Sequence, residues 1–232
     1  TAVWWLEDRK ADSPFFLQIG FPGPHPPYDP TDDFLAIYKD TEFPYRAASQ
    51  QELAQQPKMH QQLRQSMVDF NIDSVAWRAN LMDEDIQRLH RYYSANVSMI
   101  DQKVGQIMDC LEKQGYLDNT IVIFCSDHAD ALGEHGHIQK WTMYDCVTRV
   151  PLVFWAPNQI KQQQKCDDLV QLMDIAPTVL QFAGIDPPAN WEALAMNKML
   201  VSGCWNEQNT NEKLRDYVYA ELGRDHIQSG AE

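Results

Sequence analysis

Ser126, Asp127 and His128 stand directly after the apolar run Ile121-Val-Ile-Phe-Cys125, and the loop beyond them carries Asp130, Gly133, Glu134, His135, Gly136 and His137 on to Lys140. Strand tips of α/β proteins are where ligands and metals are held, just outside the sheet. An Asp and a His side by side offer a carboxylate and an imidazole, both suited to a divalent cation. Lys140 adds a positive charge that an anionic group could use. His25 lies in Pro22-Gly-Pro-His-Pro-Pro-Tyr-Asp-Pro30, where five prolines in nine residues make a rigid loop that locks its polar groups. Such a set makes the protein look like an enzyme, but no nucleophile is obvious beside it. Each residue also has a plainer reading. Asp127 could cap a turn, and His128 could be a hydrogen-bonded core histidine. Lys140 alone reads as a solvated surface lysine and His25 as an ordinary loop histidine, while His135 and His137 read as surface loop residues rather than ligands.

The elements that must position these residues are partly legible. Ile86, Leu89, Tyr93, Val97, Ile100, Val104, Ile107 and Leu111 recur at steps of three and four, which predicts a helix from about 84 to 114. Asp83 is its expected N-cap and Gly115 its stop. Asp118-Asn119 then turns into the strand 121–125, giving half of a crossover unit. Phe15–Phe21 and Val150–Trp155 read as two further strands, the first buried and parallel. Asp174 is an expected cap for a helix through Ala183, with Pro177 in its first turn and Gly184 at its end. Residues 1–10 read as the end of a helix, and Tyr217–Ala220 as a last short strand. Gln50 to Gln65 holds seven glutamines and reads as an exposed helical insertion. The fold class expected is α/β, with a mostly parallel sheet between helices.

Composition narrows the function classes. The chain has 232 residues, 44% of them hydrophobic, enough for one substantial α/β domain. Its 19 Lys+Arg against 33 Asp+Glu give a net charge of −14. That argues against nucleic acid, whose affinity comes largely from cationic side chains neutralising phosphates. An anionic small substrate stays open, because a metal ion can reverse the local sign. No apolar run approaches the roughly 20 residues of a membrane span. Thr1-Ala-Val-Trp-Trp5 does not read as a signal peptide, so cytoplasmic and periplasmic or secreted locations both stand. The five cysteines, 110, 125, 146, 166 and 204, are odd in number and form no C-x-x-C, which predicts reduced thiols.

Taken together, the motifs resemble a known family. Ser126-Asp-His-x-Asp-x-Leu-Gly-Glu-His-Gly136, Lys140-x-x-Met-Tyr-Asp145 and Arg149-Val-Pro-Leu152 resemble the sulfatases of the alkaline phosphatase superfamily. Phe15-Phe-Leu17 with Pro24-His-x-Pro-Tyr-Asp-Pro30 resembles the family's strand and P-H loop. Tyr92-Tyr-x-Ala-x-Val-x-x-Ile-Asp101, Leu117-x-Asn-Thr-Ile-Val122 and Asp174-Ile-Ala-Pro-Thr178 follow in the family's order. The similarity covers roughly residues 14–30 and 88–187.

The resemblance implies an alkaline-phosphatase-like fold, present in part. Residues 1–187 would be the C-terminal portion of the catalytic α/β domain, with 31–82 a variable insertion, and 188–232 a C-terminal subdomain or tail. It implies that Asp127 and His128 are ligands of one divalent cation, most often Ca²⁺, with Mg²⁺ or Mn²⁺ as alternatives. It implies further that Lys140 contacts the sulfate group and that His25 contacts the ester or leaving oxygen. The substrate implied is a small-molecule or saccharide sulfate ester. Two departures stand out. Ala129 occupies a position that is usually Gly. No Cys or Ser begins the C/S-x-P-x-R motif, whose first residue becomes the formylglycine nucleophile. The expectation is therefore a fragment of a sulfuric ester hydrolase, inactive alone, with the nucleophile in an N-terminal part outside this chain. A phosphonate or phosphodiester hydrolase of the same superfamily, and a truncated non-catalytic remnant, are the alternatives.

Overall fold

The computed structural model describes residues 1–10, 13–70, 75–76, 80–203 and 213–221. The expectation for Cys204 falls outside them. Ten helices and strands follow one another along these residues: α1 (Ala2–Asp8), α2 (Asp32–Ile37), α3 (Gln50–Gln55), α4 (Lys58–Phe70), α5 (Asp83–Lys113), β1 (Val122–Cys125), α6 (Asp145–Thr148), β2 (Leu152–Trp155), α7 (Ile175–Phe182) and α8 (Asn197–Ser202). They belong to two compact units. One comprises residues 1–117 and 128–149, the other residues 118–127 and 150–232.

The first unit is built along α5, the helix that the periodicity predicts. Its start differs by one residue from expectation: Met82 is the N-cap and Asp83 the first helical residue. Asp85 reaches back to accept the Met82 N–H at 3.1 Å, satisfying a donor that would otherwise be orphaned at the helix entrance. The stop is as expected. Gly115 takes φ +70°, and Tyr116 N–H closes on Leu111 O at 2.9 Å, a wrap that a left-handed residue permits. Ile86, Leu89 and Leu111 of the apolar stripe are buried, whereas Val97 is 44% exposed. Leu89 shares a core with Tyr28, Ala76 and Ile138, so the proline loop and the loop before Lys140 converge on α5. The Gln-rich segment does form helices, but it is not simply exposed. Leu53, Gln56 and Leu63 are buried, because α3 and α4 lay one face against the rest of the unit.

In the second unit β1 and β2 pair antiparallel, with Val122 opposite Trp155 and Cys125 opposite Leu152. An antiparallel strand on an otherwise parallel sheet is common in large α/β folds. Residues 15–21 and 217–220, both expected as strands, run without a ladder partner among the described residues. The Tyr219 carbonyl instead accepts from the Gln171 side chain at 2.7 Å.

Asp174 holds the second unit together, but not by capping α7 with its side chain. Its carboxylate is fully buried and accepts the Gln171 N–H and the Leu194 N–H, each at 2.8 Å, with Arg215 pairing to it at 2.5 Å. Thr178 on α7 passes the connection on, its Oγ1 donating to Asp174 O and accepting from Met196 N–H at 2.9 Å. α7 ends at Gly184 as expected, with φ +72°. The expectation of reduced thiols needs correcting at Cys166, which is disulfide-bonded, while Cys110, Cys125 and Cys146 are free. A disulfide needs only two Cα atoms within about 7 Å. Spacing in sequence therefore gave no warning of it.

Candidate active site

The loop 128–140 folds around one carboxylate. Asp130 Oδ1 accepts the backbone N–H groups of Leu132 and Gln139, both at 2.9 Å. Its Oδ2 accepts the Tyr28 hydroxyl at 2.6 Å, and Tyr28 belongs to the proline loop. One side chain therefore closes the loop on itself and fastens the proline loop to it. Burial, and then the adjacent Asp130 charge, pushes the Tyr28 phenol far above its ordinary value, so it stays a proton donor to that carboxylate. Burial with the same charge pushes Tyr93, whose ring meets Tyr28 edge-on at 6.4 Å, up to about 12.

The backbone of this loop needs unusual conformations. Leu132, Gly133, His135, Gly136 and Gln139 all have positive φ. At Gly133, φ is +95° and a Cβ would lie 2.8 Å from Ile86 Cγ1, so both conformation and space call for glycine. Ala129 makes no such demand: its φ is not positive, and its N–H donates to Val147 O at 2.8 Å. The departure from Gly at this position is therefore accommodated locally.

Within this unit His25 and His128 come together. Their rings meet edge-on with centroids 6.2 Å apart. His25 Nδ1 lies 2.7 Å from Pro26 O, and His128 Nδ1 lies 2.9 Å from Ala129 O. A carbonyl partner makes Nδ1 the protonated nitrogen, which leaves the lone pair of the neutral ring on Nε2. A metal-ligating histidine commonly has that arrangement. Lys140 follows Gln139, whose N–H Asp130 holds, and its Nζ sits 5.9 Å from the Trp141 ring centroid. Asp127 closes the stretch of the other unit that follows β1, and it is exposed. No group of three or more His, Cys, Asp or Glu side chains gathers as a metal site among the described residues. Asp127 and His128 are neighbours in the sequence and carry a carboxylate and an imidazole.

His135 and His137 are not the surface loop residues that their sequence context suggests. His137 is 3% exposed, with Nε2 3.3 Å from Gln56 Oε1 and its ring edge-on to His60 at 5.3 Å. His135 stacks on Tyr144 at 4.0 Å, and its Nδ1 meets Glu52 at 2.7 Å. That hydrogen bond first, with Arg46 and the His135 charge behind it, holds the Glu52 carboxyl below its ordinary value. Gln56 is the centre of this cluster. It donates to His135 O at 2.8 Å and accepts from Arg64. Burial, then the neighbouring His60, Arg64 and His135, pushes His137 down to about 4. A second glycine is required here, since a Cβ on Gly136 (φ +72°) would lie 2.5 Å from Leu53 Cδ2.

Sequence reasoning missed Asp130, Tyr28, Gln56 and Tyr144 as organisers. Asp130 alone left a signal, an acid in a Gly-containing loop, where Asp side chains commonly bind backbone N–H groups two residues on.

The sulfatase family model matches residues 2–185. An arylsulfatase of Clostridium perfringens is 28% identical over 224 residues, covering 95% of this chain and 43% of the relative. A protein solved in complex with its substrate D-glucosamine-2-N,6-O-disulfate superposes with TM-score 0.70 at 25% identity, over 88% of this chain and 51% of that one. The phosphonate monoester hydrolase of Agrobacterium radiobacter superposes with TM-score 0.75 at 24% identity, over 87% of this chain and 40% of that one, a likeness of fold alone. The chain spans less than half the length of the curated relatives it matches. These likenesses give the fold as α/β and alkaline-phosphatase-like, present in part, with a small sheet and helices.

Proposed function

This chain belongs to the sulfatase family, and from that premise we propose that it is the charge-stabilising part of a sulfuric ester hydrolase. The observation carrying the proposal is the clamp of Asp130 on Tyr28, Leu132 and Gln139, which supports His25, His128 and the approach to Lys140 from one unit. A sulfate ester resists attack because its oxygens repel nucleophiles. Lys140 would sit against those oxygens and stabilise charge as it builds. His25, held through Nδ1, would present Nε2 to the leaving oxygen and, when protonated, donate to it. Asp127 and His128 would hold a divalent cation, Ca²⁺ first and Mg²⁺ or Mn²⁺ as alternatives, which supplies Lewis-acid stabilisation of the same oxygens when bound. The Nδ1 contact of His128 with a backbone carbonyl supports that role.

The motif C/S-x-P-x-R does not occur in these 232 residues. By this reading the 232 residues by themselves do not turn over a sulfate ester, and the formylglycine comes from elsewhere in a longer protein. The substrate class is a small-molecule or saccharide sulfate ester, with no nucleic acid involved. No helix among the described residues is long and apolar enough to cross a membrane. The domain reading follows the same frame, with 1–187 as part of the catalytic domain and 188–232 as a subdomain or tail.

A second reading has a specific observation in its favour. The fold superposes on phosphonate monoester hydrolases, so a phosphonate or phosphodiester substrate is the alternative. The test is a longer protein carrying this chain together with a C/S-x-P-x-R segment, assayed with an aryl sulfate and an aryl phosphonate. Turnover of the sulfate, lost on Lys140→Ala, is expected. Preference for the phosphonate would favour the second reading. Activity with neither substrate, in a protein bearing the intact motif, would mean a non-catalytic remnant.

A further inference from the structure

A cavity of about 690 Å³ lies in the first unit between α2 and α5, away from the loop that Asp130 organises. Its lining includes Lys39, Arg88, Arg91, Tyr92, Asp32 and Glu84. Three cations and two carboxylates thus face the groove. The cations differ in how they are satisfied. Arg88 pairs with the buried Asp85 at 3.3 Å, and Lys39 lies 3.8 Å from the exposed Asp40. Arg91 is half-buried, and its Nε is fully buried without a hydrogen-bond partner among the described residues. A guanidinium that is partly desolvated with no protein acceptor at Nε is costly to keep. An anion that meets its remaining donors would offset part of that cost, and Arg is the side chain best shaped for a two-pronged contact with sulfate or carboxylate.

We propose that the α2/α5 groove is a second anion site, which takes a sulfate or carboxylate group carried on an oligosaccharide. Arg91 provides the principal contact, Lys39 and Arg88 flank it, and Tyr92 offers a ring against which a sugar can lie. The choice of a saccharide as carrier rests on the proposed sulfatase reading; the anion site itself rests on the groove. The volume suits one or two sugar rings rather than a free ion. Tyr92 adjoins Tyr93 on α5, and Tyr93 packs edge-on against Tyr28 of the proline loop. α2 begins directly after that loop, at Asp32. The groove thus adjoins the loop that carries His25, and it would read an acidic group of the substrate other than the ester under attack.

The test uses the full 232-residue chain carrying Lys140→Ala, so that the proposed ester site does not contribute. Calorimetry at about 0.15 M salt, where exposed charges are largely screened beyond about 8 Å, is run with a heparin-derived sulfated tetrasaccharide, a hyaluronan tetrasaccharide bearing only carboxylates, and an uncharged chitotetraose. Binding of one or both anionic probes but not chitotetraose is expected. The two anionic arms tell which group the groove prefers. Arg91→Gln should weaken that binding at least tenfold, and Lys39→Gln three- to tenfold. The Arg91 Nε–H resonance should shift on titration. If Arg91→Gln does not fold, Lys39→Gln and Arg88→Gln decide, since both side chains lie at the surface. Equal binding of chitotetraose, binding only at low salt, or affinity unchanged by Lys39→Gln and Arg88→Gln would overturn the proposal. In a longer, active protein, Arg91→Gln should raise KM for a polysulfated saccharide while leaving kcat/KM for an aryl sulfate unchanged. Loss of both would trace the effect to the ester site instead, and failure of the aryl sulfate assay in the parent would count against the sulfatase reading alone.

Discussion

Lowering the pH from 7.5 to 5 should destabilise the first unit through His137. The ring is 3% exposed, its Nε2 faces Gln56 Oε1, and His60, Arg64 and His135 surround it with positive or protonatable groups. Burial first, and then those neighbours, takes its pKa from 6.5 to about 4. Between those values the unfolded chain binds a proton that the folded chain refuses, so stability rises with pH across that window. His137 therefore contributes its full share above about pH 6.5, and the share is lost as pH falls toward 4. At about 1.4 kcal/mol per pH unit, complete loss would be about 3.4 kcal/mol. Side-chain relaxation and entering water reduce such figures, so about 2 kcal/mol is expected, most of it gone by pH 5. His90, lowered by burial, acts in the same direction. Only a comparison with His137→Gln isolates the His137 part. The assay is urea unfolding of wild type and variant at pH 7.5, 6 and 5, with the His137 Cε1–H resonance followed by NMR. The variant should show a slope shallower by about 2 kcal/mol over that range. An NMR midpoint near 6.5, or equal slopes for the two proteins, would refute the reasoning.

Three further outcomes are expected. Asp130→Asn keeps the size of the side chain but weakens three hydrogen bonds; it should cost about 2 kcal/mol in urea unfolding and abolish the NOE between His25 and His128. Gly133→Ala places a methyl 2.8 Å from Ile86 Cγ1 at φ +95° and should lower stability by about 1–3 kcal/mol, whereas Gly105→Ala, with open space around it, should not destabilise. In a longer, active protein, Lys140→Ala should lower kcat by about 10²–10³ for an aryl sulfate with the circular dichroism spectrum unchanged; full activity would remove Lys140 from the site.

The residues proposed for chemistry were legible because they lie in local patterns. Ser126-Asp-His follows an apolar run, His25 sits among prolines, and α5 declares itself by an eight-residue apolar stripe with Gly115 at its end. Helix periodicity and turn chemistry are properties of neighbouring residues, so a single sequence carries them. The order of these motifs along the chain was enough to point to the sulfatases. What tertiary structure decided depends on residues far apart. The Tyr28–Asp130 bond joins positions 102 apart, and the Glu52–His135 contact joins positions 83 apart. Neither partner's local context announces the other. The same holds for the burial of His137, which follows from α3 and α4 folding over the loop. It holds also for the disulfide at Cys166 and the antiparallel pairing of β1 with β2. Residues 15–21 have the composition of a strand, but a strand exists only where a neighbour supplies its hydrogen bonds. Composition sets what a segment can bury, and packing chooses which of its polar groups find partners.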